Sequence, residues 1–168
     1  MNYGLELMAQ GKYETAMSYY DKALQIAPNY DFLYINIGIL KNATNKRDEA
    51  ELNFKKAIQL NSLNDLTHFY YAKFLKEQNR LNEAISSINE AVKLSPLSIR
   101  NNILKLNLLV ELEYWDQAKK TAKEILEIDP DNTIAKNVLS TKKLSKLELK
   151  RIEVQNDPSA QKYLDLSL

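Results

Sequence analysis

His68 is the only histidine in 168 residues, and the chain has no cysteine. A metal centre draws on several His, Cys or carboxylate side chains at fixed spacing, and no such set occurs. A phosphate-binding loop needs clustered glycines so that backbone N–H groups can wrap the anion. Gly4, Gly11 and Gly38 lie far apart instead. The expectation is therefore a segment with no catalytic, cofactor-binding or metal-binding residues, no cofactor, and no enzymatic activity of its own. Asn42-Ala43-Thr44 matches a glycosylation acceptor, a tripeptide that is frequent by chance. What does recur is small, aliphatic and aromatic, and the chemistry of such residues is packing and binding.

Those residues recur at a spacing of 34. Ala16, Ala50, Ala84 and Ala118 share one column, Ala23, Ala57, Ala91 and Ile125 a second, and Pro28, Ser62, Pro96 and Pro130 a third. A fixed period of 20 to 50 residues signals stacked repeats whose units bury a continuous core between neighbours. With Asp31 as position 1, Tyr34, Ile37, Gly38 and Lys41 hold positions 4, 7, 8 and 11, one face of a first helix. Ala50, Phe54 and Ala57, at positions 20, 24 and 27, make the matching face of a second helix. Gly38 and Ala50 are small where the two helices would cross. Asn45-Lys46-Arg47-Asp48 reads as the polar turn between them, with Asp48 as the expected N-cap. His68 and Trp115 read as packing residues, as do Tyr20, Tyr34, Phe54 and Tyr71.

This pattern resembles the tetratricopeptide repeat family. The units are 1–30, 31–64, 65–98 and 99–132; the third carries His68, Tyr71, Ala72, Leu75, Ala84, Ile88, Ala91 and Pro96 in the same columns. The fourth keeps Leu109, Ala118, Ile125 and Pro130, but Asn102 and Lys105 stand where an aromatic and an aliphatic are usual. The expectation there is a rotated helix, or a Lys105 that snorkels to solvent. The resemblance implies an all-α fold, a right-handed superhelix of antiparallel helix pairs. Few Gly and Pro (3 and 4) and 45% hydrophobic residues agree with helices throughout.

In this family, positions 2, 5, 6, 9 and 13 of the first helix line a concave groove. Here the candidates are Phe32, Ile35, Asn36 and Ile39; then Leu66, Phe69, Tyr70 and Lys73; then Arg100, Ile103, Leu104 and Asn107. An exposed apolar stripe marks an interaction site, or is covered by a neighbouring segment of the same chain. Members that clamp a peptide's terminal carboxylate use Lys, Asn and Arg at groove positions. Asn36 matches one, but Leu66 and Tyr70 stand where basic residues are needed. An Asn ladder like that of sugar-transferase repeats is absent too, since Tyr70 and Leu104 follow Asn36.

A net charge of +1 gives no field to favour nucleic acid. No apolar run approaches 18 residues and no charged-then-apolar stretch opens the sequence, so the expectation is a soluble segment with no membrane insertion. Beyond Pro130, Asp131-Asn132 can cap a long helix over 133–156, which carries Lys136, Lys142, Lys143, Lys146, Lys150 and Arg151 against two Glu. It reads as a capping or linker helix with a solvated face, or as a basic docking surface. In the tail 157–168, Tyr163, Leu166 and Ser167 repeat the spacing of Tyr34, Ile37 and Gly38. Met1 falls at position 5 of its unit. The expectation is thus a piece of a longer repeat protein, whose ends or groove could mediate self-association. The leading expectation for function is a non-enzymatic scaffold that binds a protein or peptide segment in its groove. The alternative is an accessory C-terminal repeat domain of a larger enzyme, such as a bacterial membrane glycosyltransferase.

Overall fold

Small residues at alternate helix crossings set this architecture. The structure is a computed structural model that describes residues 3–140, and the chain divides into two compact units, Met1–Pro96 and Leu97–Leu168. The first holds three helix pairs: α1 (Tyr3–Ala9) with α2 (Tyr13–Ile26), α3 (Asp31–Ala43) with α4 (Arg47–Leu60), and α5 (Asp65–Glu77) with α6 (Leu81–Leu94). The second holds α7 (Ile99–Glu111), α8 (Trp115–Ile128) and α9 (Thr133–Ser140). All regular structure among the described residues is helical.

In the first two pairs of this unit, position 8 of one helix lies against position 24 of the other. A Cβ on Gly38 would meet the Phe54 ring at 3.0 Å, and one on Gly4 the Tyr20 ring at 2.4 Å. The partners Tyr20 and Phe54 are 0% and 1% exposed. In the third pair Ala72 and Ile88 take these positions, both fully buried. One small side chain opposite one large one keeps the packing dense without strain.

Each turn inside a pair closes in the same way. Position 15 adopts a left-handed backbone: Gly11 has φ 72°, Asn45 and Asn79 both 59°, and Glu113 61°. The Asn45 N–H donates to the Asn42 carbonyl at 2.9 Å and the Lys46 N–H to the Lys41 carbonyl at 2.8 Å. The same double closure recurs at Gly11–Lys12, Asn79–Arg80 and Glu113–Tyr114, which is the Schellman arrangement that satisfies a helix's last carbonyls. It also moves one expected cap. The Lys46 carbonyl accepts the Ala50 N–H at 2.9 Å, so Lys46 is the N-cap of α4 and Asp48 lies in its first turn. There the carboxylate still faces the positive end of the helix dipole.

Successive pairs of the first unit are tied by the residue at position 4. The Tyr34 hydroxyl donates to the Pro28 carbonyl at 2.8 Å, and His68 Nε2 lies 3.0 Å from the Ser62 carbonyl. Since a carbonyl accepts, that ring nitrogen carries the hydrogen. His68 is 9% exposed and does a tyrosine's work in its column.

In the second unit the column sizes are exchanged. Leu106 holds position 8 and Ala122 position 24, both fully buried. Asn102 is buried and donates through Nδ2 to the Ser98 carbonyl at 3.0 Å, whereas Lys105 is half-buried. Trp115 is half-buried at the start of α8. Asn132 caps α9 by accepting the Ala135 N–H at 3.1 Å. The expected continuation of this helix to 156, with Lys142, Lys143, Lys146, Lys150 and Arg151, lies outside the described residues, as do the tail 157–168 and its Tyr163, Leu166 and Ser167.

Two outcomes test these packing rules. Leu106→Ala should cost about 2–5 kcal/mol in denaturant unfolding, and adding Ala122→Leu should recover a measurable part of it; strictly additive costs would contradict the size exchange. Glu113→Gly should raise stability by about 0.5–1 kcal/mol, because a β-carbon in the left-handed region costs roughly 1–2 kcal/mol before chain entropy is counted.

Candidate functional site

The groove candidates of the first unit lie on α3 and α5, which pack against each other as well as on their own partners. Phe32, Ile39, Leu66, Phe69 and Tyr70 are half-buried, and Lys73 is exposed. Phe69 and Tyr70 meet edge to face, ring centroids 5.3 Å apart, and Phe32 sits 5.6 Å from the Tyr30 ring. Near the C-terminal ends of the two helices, Asn42 Nδ2 donates to Glu77 at 2.6 Å. That bond occupies the amide nitrogen of the acceptor tripeptide noted in the sequence.

Two candidates are placed elsewhere. Ile35 is 2% exposed and Asn36 8%, so neither belongs to an open stripe. Position 5 only flanks the outward positions, and α3 has both α1 and α5 packed on it, which leaves its flanks covered. In the second unit, Arg100 is exposed on α7 while Ile103, Leu104 and Asn107 are half-buried.

Sequence spacing missed two polar ties. Asp31, 7% exposed, accepts from Asn64 Nδ2 at 2.7 Å and from Asn61 Nδ2 at 3.1 Å, so the loop before α5 is anchored to the first turn of α3. The other is a cluster of titratable groups with displaced pKa values, the usual mark of a functional site. Arg80 grips Glu51 through both terminal nitrogens at 2.6 and 3.1 Å and Glu83 at 2.7 Å. Lys55 approaches Glu51 at 2.9 Å and the Tyr71 hydroxyl donates to it at 3.0 Å. The Arg80 guanidinium, against burial, holds the Glu51 carboxyl down at about 2. Burial, helped by the Glu51 carboxylate, pushes the Tyr71 hydroxyl up to about 12. Every member is engaged by another, so the cluster is a tie between α4, α5 and α6. Among the described residues no group of three or more His, Asp or Glu could hold a metal ion.

A depressed carboxylate contributes stability that is fully present above its unfolded pKa and lost as pH falls through its folded one. Wild-type unfolding free energy should therefore drop between about pH 4.5 and about 2. In Glu51→Gln that part of the slope should be missing from an acid titration followed by circular dichroism. An unchanged slope would show that the ion pair is not formed in solution.

Two models of the tetratricopeptide repeat match the chain, one over residues 1–30 and the other over 33–62 and 69–96. No match is found among curated proteins. Among solved structures the chain is similar to YrrB, a tetratricopeptide protein described as having an unusual peptide-binding site. The TM-score is 0.67 at 21% identity, over 83% of this chain and 72% of YrrB. It is also similar to pilF of Pseudomonas aeruginosa, with a TM-score of 0.73 at 24% identity, over 97% of this chain and 71% of that one. A third likeness is to the first tetratricopeptide domain of Spaghetti (RPAP3), solved bound to the HSP90 peptide SRMEEVD: TM-score 0.59, 20% identity, 74% of this chain and 93% of that one. At these identities the likeness is one of fold, an all-α helical-repeat fold of antiparallel pairs. The family matches cover just over half of the 168 residues, and the chain belongs to the tetratricopeptide repeat family.

Proposed function

We propose that this chain is a protein-interaction scaffold that takes up a peptide or protein segment on the α3–α5 face of its first unit. The observation that carries the reading is the half-buried aromatic and aliphatic set Phe32, Ile39, Leu66, Phe69 and Tyr70. Aromatic rings supply large contact area at low entropic cost, which is why such residues dominate binding surfaces. Lys73, exposed beside them, favours a partner with a carboxylate near that point. In the second unit, taken by itself, α7 carries the exposed Arg100 and the half-buried Ile103, Leu104 and Asn107 as separate candidate peptide contacts. The fold is generally non-catalytic, and two of the similar structures, YrrB and the Spaghetti domain, are described with bound or bindable peptides. Among the described residues no helix is long and apolar enough to cross a membrane. The carboxylate clamp of chaperone binders is not part of the proposal, because Leu66 and Tyr70 occupy its basic positions.

Peptides selected from a displayed random library on the full-length chain should lose at least tenfold in affinity against Tyr70→Asp and against Phe69→Asp. Both variants should keep their helicity and lose about 1 kcal/mol or less of stability, since half-buried surface residues cost far less than the 2–5 kcal/mol of a core truncation. Unchanged binding to both variants would place the contact elsewhere.

A further inference from the structure

A second concave feature of the first unit, a cavity of about 300 Å³, is walled by Glu83, Ser86, Ser87 and Glu90 of α6. Ile58 of α4 and His68, Tyr71 and Leu75 of α5 complete it. Its fixed polar groups present lone pairs. Ser87 gives its hydrogen to the His68 carbonyl at 3.0 Å and the Tyr71 hydroxyl gives its own to Glu51 at 3.0 Å. His68 Nε2 spends its hydrogen on the Ser62 carbonyl, also at 3.0 Å. The oxygens of Ser87 and Tyr71 can then only accept, as can ionised Glu83 and Glu90. The Arg80 guanidinium holds the Glu83 carboxyl below the usual carboxylate range, so it is charged at neutral pH. No lysine or arginine lines the cavity. Lys93 reaches Glu90 at 3.3 Å, but both side chains are exposed, and such a pair is weak.

One period earlier the chain supplies a ligand for this place itself. Leu75 and Glu83 stand at positions 11 and 19, which in the second repeat are Lys41 and Glu49. The Lys41 ammonium donates to Glu49 at 2.6 Å, from a side chain only 15% exposed. Its methylenes are thus packed while its charge is met by the carboxylate. In the third repeat Leu75 packs but brings no ammonium, and Ser86 and Ser87 replace the longer Leu52 and Asn53. Position 16 supplies a cation in both repeats, Lys46 at 3.9 Å from Glu49 and Arg80 at 2.7 Å from Glu83. The group that the third repeat lacks is therefore the lysine.

We infer that this cavity is a second binding site, one that takes an aliphatic primary ammonium on an alkyl stem the length of a lysine side chain. Ile58 and Leu75 receive the methylenes, and Glu83, Glu90 and the Ser87 oxygen accept the three hydrogens. An anion would meet lone pairs there, and a neutral alcohol brings one hydrogen to several acceptors. The ammonium belongs either to a lysine of another polypeptide or to a free alkylamine, and its chemistry at the seat is the same. The site shares no residue with the α3–α5 set and stands or falls apart from it.

The probe is n-butylammonium, titrated into the full chain at constant ionic strength and followed by amide chemical shifts. The expected result is a saturable shift at Leu75, Glu83, Ser86 and Ser87. Butanol and tetramethylammonium, which lack the charge or the hydrogens, should bind about tenfold more weakly or not at all, the worth of one hydrogen bond to a charged group. Glu90→Gln leaves the Arg80 contacts in place, and Ser86→Lys sets a competing charge at an exposed position. Each should weaken n-butylammonium binding about tenfold at unchanged helicity, while Tyr70→Asp should leave it as it was. An end-blocked alanine pentapeptide with one central lysine separates the two sources. Binding as tight as that of n-butylammonium assigns the seat to a lysine of a partner, and capture of n-butylammonium alone assigns it to a free amine. No saturable shift, equal binding of tetramethylammonium, or unchanged affinity in both Glu90→Gln and Ser86→Lys would overturn the proposal.

Discussion

Everything in the described chain depends on how closely two helices can cross within one repeat. Their axes are set by the side chains at positions 8 and 24, and the sum of the two sizes matters more than either. Gly4 with Tyr20, Gly38 with Phe54 and Ala72 with Ile88 are three versions of one small residue against one large. In the fourth pair Leu106 and Ala122 invert the order and remain fully buried. A glycine in mid-helix costs roughly 1 kcal/mol relative to alanine, so its presence at Gly4 and Gly38 is a packing requirement that overrides helix propensity. The family matches end at residue 96, ahead of the pair in which this rule is written in reverse.

Much of this was legible from the sequence because a repeat samples the same environment several times. Columns at positions 8, 20, 24 and 27 need no threshold of hydrophobicity; they recur. The left-handed position 15 was legible in principle from Gly11, Asn45 and Asn79, residues that tolerate positive φ, but Glu113 in the fourth unit hides the column. The expected cap at Asp48 failed for a related reason. A Schellman closure uses up one residue more than a simple turn, so the helix begins at Arg47 with its dipole partner, rather than its cap, at Asp48.

The groove was legible only in part. Helical geometry gives the angle at which Phe32, Ile35 and Ile39 leave α3, but not which flank the neighbouring first helices cover. Ile35 and Phe69 hold the same position, yet one is in the core and the other half-buried. The polar ties were not legible at all. Glu51 and Arg80 are 29 residues apart and Asp31 and Asn64 are 33 apart, and nothing in their local sequence distinguishes them from solvated surface groups.

These ties bear on how a solenoid can carry binding surfaces without losing its own register. Apolar columns alone would let neighbouring repeats slide, since burial is non-directional. Charge-assisted bonds such as Arg80–Glu51 have fixed geometry and are satisfied in one arrangement. In the first unit they join α4 to α5 and α6, while Asp31–Asn64 joins α3 to the loop before α5. The residues proposed for partner contact are apolar ones that neither the columns nor the ties consume. On α3 and α5 these are Phe32, Ile39, Leu66, Phe69 and Tyr70.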